Sequence, residues 1–144
     1  MWEELSTADD IQNLLDAYGG FHDSCLKEVH YCSGMSVSSD LSMEFSGNAY
    51  ARLIFQRQNE NSAVIEMEFS KLKRINIPDG MDFFLILGVS IRNIGDVFYF
   101  VGYDDWDPDT DDIAECLWVS SEKIRWRIRE NDCLGDREIY AENN

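Results

Sequence analysis

Basic residues are scarce in this chain: 12 lysines and arginines stand against 28 aspartates and glutamates, a formal net charge of −16. That imbalance repels phosphate backbones and anionic lipid, so neither nucleic acid nor a membrane surface is an expected partner. A basic protein is the partner such a field attracts. The plainer reading is that the acidity serves only solubility. Long apolar runs are missing as well: with no stretch of about 18 apolar residues, the sequence offers no membrane-spanning helix. The opening MWEELSTADD carries acids where a signal peptide needs a basic segment followed by an apolar one, and a cytoplasmic location is expected. Cys25, Cys32, Cys116 and Cys133 form no C-x-x-C pair and no zinc-type spacing with His22 or His30. Free thiols in a reducing compartment are the default, and no metal or cofactor is expected. No repeat and no Pro-, Gly- or Ser-rich linker divides the chain, so one domain over residues 1–144 is the simplest organisation.

What is present is enough apolar material for a core. Hydrophobic residues make up 44% and aromatics 12%, too much for a disordered chain despite its charge. Ile11, Leu14, Leu15 and Tyr18 recur at the spacing of one helical face, with Ser6 or Thr7 as cap and Asp9 and Asp10 in the first turn, which predicts a helix over about 7–18. Gly19 and Gly20 end it. Beyond Cys25 the period falls to two. Leu41, Met43 and Phe45 alternate with polar residues, as do Ile65, Met67 and Phe69, predicting two half-buried strands on either side of a strand at 50–57 (YARLIFQR). Further β-rich runs lie at 83–91 (FFLILGVSI) and 97–103 (VFYFVGY), with a glycine-containing turn at 92–96 between them, and Pro78 breaks continuity with what precedes. The last strand alternates Ile124, Trp126 and Ile128 with Arg125, Arg127 and Arg129. The tail after Glu130 carries Leu134, Ile139 and Tyr140 and can dock. The expected fold is α+β: an N-terminal helix packed on a curved, mainly antiparallel meander of about seven or eight strands.

Three stretches invite a functional reading. In YGGFHDS, the residues His22, Asp23 and Ser24 have the letters of a catalytic triad, but consecutive residues in extended chain point to opposite faces and cannot converge. Asp23 and Ser24 are expected to hold a corner by bonding backbone N–H groups, with His22 either helping them or sitting in a groove beside the helix. The run 103–115 carries seven carboxylates and no base. Its Asp105, Asp107, Asp109 and Asp111 match alternate positions of a calcium loop, but Thr110 and Cys116 stand where that loop requires glycine and glutamate. A solvated acidic loop is expected instead, in which Trp106 either anchors a cationic surface or folds inward over the sheet. The arginine stripe of the last strand cannot share a surface with Trp126, so cross-strand pairing with Glu66 and Glu68, or with another acidic strand face, is its expected role rather than nucleic-acid binding.

The short helix leading to Phe21-His22-Asp23-Ser24, followed by a β-meander containing RLIFQR at 52–57, resembles small bacterial proteins of uncharacterised function. It also resembles, more loosely, immunity proteins of polymorphic toxin systems that carry a similar F-H-D-[SA] element. The resemblance implies a cytoplasmic bacterial protein that acts by binding and masks a toxin domain; it assigns no catalytic residue. The expected function is therefore a non-enzymatic acidic binding protein facing a basic partner through His22, Asp23, Asp104, Asp105, Trp106, Asp107 and Asp109. The competing expectation is a small-molecule-binding protein or hydrolase with His22 in a pocket. Unpaired strand edges would also admit a homodimer.

Overall fold

Thr7 opens the helix. In the computed structural model, which describes residues 1–79, 85–130 and 133–143, helix α1 spans Ala8–Ala17. The Thr7 hydroxyl accepts from the Asp10 N–H (3.2 Å), and the Asp10 carboxylate accepts from the N–H groups of Ser6 (2.8 Å) and Thr7 (2.9 Å). This reciprocal cap satisfies donors that a helix start leaves free. The Ser6 and Thr7 bonds also hold the Asp10 carboxyl below its ordinary pKa. Leu14 is fully buried, and Ile11 and Leu15 pack against the same core. At the other end Gly19 and Gly20 take φ of +58° and +64°, a conformation in which glycine carries no Cβ penalty. Phe21 follows at φ +64°, where a bulky side chain costs about 1–2 kcal/mol. Burial offsets that cost: Phe21 meets Tyr18, Phe55 and Phe100 edge-on at 4.8–5.3 Å.

The helix packs on a curled antiparallel sheet whose strands run in the order β7-β2-β5-β6-β10-β9-β8, with the short β1 (Glu3–Glu4) pairing beside β10. The central members are β2 (Ser24–Cys32), β5 (Tyr50–Arg57), β6 (Val64–Asn76) and β10 (Trp118–Arg129). Outside them lie β7 (Leu85–Ile86), β8 (Ser90–Ile94) and β9 (Val97–Val101). Between β2 and β5 the chain makes a separate two-stranded ribbon, β3 (Met35–Val37) with β4 (Met43–Phe45). The α+β expectation holds, with β2, β5 and β6 adjacent as in a meander and β10 entering between β6 and β9. Leu53, Phe55, Ile65, Met67, Phe69, Phe100 and Ile124 face the helix as one core. A smaller cluster of Ile54, Ala63, Val64, Cys133 and Ile139 covers the other face, so the tail docks there.

Three local expectations need correction. The apolar positions of β4 are exposed rather than half-buried, because α1 and the tail cover the main sheet and neither reaches the ribbon. The supposed wet face of β6 is dry: Glu66 and Glu68 are buried. The run 83–91 is not one strand; positions 83 and 84 lie outside the described residues, and the remainder is β7, a break at 87–89 and the start of β8. The β8–β9 turn is the two-residue Gly95–Asp96, both at positive φ, as a tight hairpin requires.

Candidate functional site

At the helix–strand corner the side chains diverge. The Leu87 carbonyl accepts a hydrogen bond from His22 Nδ1 (2.9 Å), and His22 Nε2 lies 3.5 Å from an Asp23 carboxylate oxygen. Both side chains are more than half exposed, at 66% and 54%, where such a pair contributes little. Ser24 is buried and its hydroxyl donates to the Phe21 carbonyl. The corner is therefore held through carbonyls rather than through the N–H groups expected, and Asp23 contributes by its positive φ of 55° and by its own carbonyl, which accepts from Gln58 N–H. A concavity of about 490 Å³ opens beside Leu5, Phe98 and Ile124, and one of about 280 Å³ beside Tyr50, Arg52, Lys71 and Arg125. His22 lines neither.

The acidic loop between β9 and β10 keeps Asp104, Asp105, Asp107 and Asp109 exposed. Its carboxylates cap the loop's own backbone: Asp107 accepts from Asp109 N–H (2.9 Å), Asp111 from Asp107 N–H (2.8 Å) and Asp112 from Ala114 N–H (2.9 Å). Among the described residues, no three His, Cys, Asp or Glu side chains are grouped to hold a metal ion. Trp106 is not an exposed anchor. It is 5% exposed and packs 5.7 Å from the Tyr99 ring, and its backbone is pinned by Ser90 Oγ (2.9 Å) and Arg92 Nε (2.9 Å). Its indole N–H has no partner among the described residues. The loop keeps its carboxylates as a surface and uses the tryptophan as its root.

The arginine stripe is internally matched, as the two-residue period predicted. Register places Arg127 opposite Glu66 and Arg125 opposite Glu68. One Glu66 oxygen accepts from Arg127 (2.7 Å) and Arg129 (3.0 Å), while the other accepts from the Tyr140 hydroxyl (3.0 Å). Glu68 takes Arg125 and Arg52, each at 2.8 Å. Burial pushes the Glu68 carboxyl up, but the hydrogen bonds and charges of Arg125 and Arg52 outweigh it and hold the pKa below its ordinary value. Trp2 stacks under Arg125 and Arg127 at 4.3 Å, which removes further guanidinium surface from solvent. Charge is thereby segregated within the molecule. Strands β5, β6 and β10 carry +2, +1 and +3, so the rest of the chain carries −22.

A surface that the sequence reading did not single out is the β3–β4 ribbon. Register pairs Met35 with Phe45 and Val37 with Met43, so all four side chains share one face, and their exposures are 52%, 73%, 56% and 68%. Ser36 and Glu44 occupy the opposite face. The alternation was visible in the sequence, but its lack of cover was not. No family model, curated protein or solved structure matches this chain.

No helix among the described residues is long and apolar enough to cross a membrane.

Proposed function

We propose that the protein is a non-enzymatic binding protein that masks a basic protein partner, in the manner of the immunity proteins its F-H-D-S element resembles. The observation that carries this reading is the charge segregation. Seven carboxylates lie in the loop at 103–115, where Arg92 bonds the Trp106 carbonyl, while Arg52, Arg125, Arg127 and Arg129 are matched to Glu66 and Glu68 on the sheet. The ion pairs of the described residues all lie elsewhere. An unneutralised acidic surface steers a basic partner and rejects an acidic one. Among the described residues, His22 stands in solvent and lines neither the concavity beside Leu5 nor the one beside Tyr50, which leaves the pocket reading without support there.

The test is capture on the immobilised chain from a lysate of the cell that makes it, run in parallel with a variant carrying Asp104→Asn, Asp105→Asn, Asp107→Asn and Asp109→Asn. The wild type should retain a protein of basic isoelectric point, and the variant should lose most of it. Equal retention by both, or retention of acidic proteins alone, would sink the reading.

A further inference from the structure

We infer that the apolar face of the β3–β4 ribbon is the docking surface for that partner, and that it takes a protein surface in which an apolar patch is bordered by lysine or arginine. The inference rests on the proposed function and names the place where it acts. A strand pair with strict two-residue alternation is built to bury one face, because each apolar side chain left in water forgoes the free energy that burial gives. Here Met35, Val37, Met43 and Phe45 supply that face and Leu41, 84% exposed, extends it at the tip; among the described residues nothing covers them. The patch is on the order of 500 Å², within the range of the largest apolar patch on a monomeric protein, which is often functional.

The ribbon is not a loose loop. At its tip Asp40 accepts hydrogen bonds from the Ser38 and Ser42 hydroxyls and from Ser42 N–H, which draws its carboxyl down to about 2. At its base Gly34 takes φ +83° where a Cβ would lie 3.0 Å from the Ala49 backbone nitrogen, and its carbonyl accepts from Ser46 N–H (2.8 Å). A face held this firmly without a core beneath it is preorganised for a partner.

Charge decides which partner. Asp40 and Glu44 are the only charged residues between Cys32 and Tyr50. Two copies meeting face to face would set −16 against −16. A basic partner turns the same field into attraction. The acidic loop lies at the same end of the sheet. Leu72 N–H bonds the Ala49 carbonyl at the ribbon base, and Asn76 bonds the Ala114 and Cys116 carbonyls at the loop, about 13 Å farther along β6. Of the bases nearby, Lys73 lies 3.9 Å from Glu122, Arg74 stacks over Trp118, and Lys71 stands exposed beside Ala49 at the ribbon base. One partner of apolar and basic character can therefore meet the ribbon while the loop attracts it.

The experiment follows the methionine ε-methyl resonances of the full chain during titration with two short blocked peptides, one alternating valine with lysine and one of lysine alone. Met35 and Met43 report the ribbon, and Met67, fully buried, reports the fold. The valine–lysine peptide should shift Met35 and Met43 saturably and leave Met67 in place, and Val37→Ser with Phe45→Ser should weaken its binding at least about tenfold. Because those two side chains are exposed, the unchanged Met67 resonance of the variant checks that it folds. If both peptides bind alike and the ribbon methyls stay still, the inference is overturned and the acidic reading stands. If neither binds, both fall. If Met35 and Met43 shift with protein concentration alone, the occupant is a second copy and the inference is overturned.

Discussion

Glu66 is where the sheet's outer face is most exposed to damage by a single substitution. It is 2% exposed and shared by Arg127, Arg129 and Tyr140. Glu66→Gln keeps the shape but removes the charge that balances two arginines, and should lower unfolding free energy by about 2–3 kcal/mol. That is below the full cost of breaking a buried pair because both guanidiniums keep partial contact with water. The shift in urea midpoint measures it. Glu68 sets a pH dependence. Its carboxyl is held below 4.5 in the folded chain, so the unfolded chain takes up the proton first as pH falls. Stability is fully present above pH 4.5 and should decline below it, a loss that a melting series from neutral to acid pH would reveal; Glu68→Gln should flatten that decline. At this scale the sequence reading reached the arginine–glutamate pairs, because a two-residue period fixes which side chains face one another. Tyr140 was legible as a tail residue able to dock, but its partner Glu66, 74 residues away, was not, since no local pattern encodes which part of a sheet a tail will cover.

Helix α1 was readable end to end because its signals are local: a spaced apolar face, an Asp–Thr cap and two terminal glycines. Thr7→Ala removes the hydroxyl half of the cap and should destabilise by about 1 kcal/mol, seen as a lower thermal midpoint with unchanged far-ultraviolet dichroism in the folded baseline. Strands were harder to bound. The alternation of Met43 and Phe45 is the same signal that Met67 and Phe69 carry, yet one pair is buried and the other is not. Alternation specifies a face, and only tertiary contacts specify whether anything lies on it. The corner at His22 has the same character. Its polar residues marked a turn correctly, but whether Ser24 would bond an N–H or a carbonyl depended on the left-handed Phe21 before it, which composition does not encode.

The molecule as a whole separates its charges, with arginines and lysines gathered on three central strands and carboxylates left over the remainder. Composition gave the net charge, whereas the separation needed the register that brings Arg52, Arg125 and Glu68 together. Likewise the sequence set Trp106 amid carboxylates, and only the packing against Tyr99 showed that the ring turns inward while the acids stay in water. That arrangement makes the acidic surface a steering device, and steering is read in rates. The decisive measurement is the association rate constant of the captured basic partner followed by stopped flow across a series of salt concentrations. Screening should slow association by about tenfold or more between low and physiological ionic strength while dissociation changes little. An association rate indifferent to salt would contradict a function built on this charge separation.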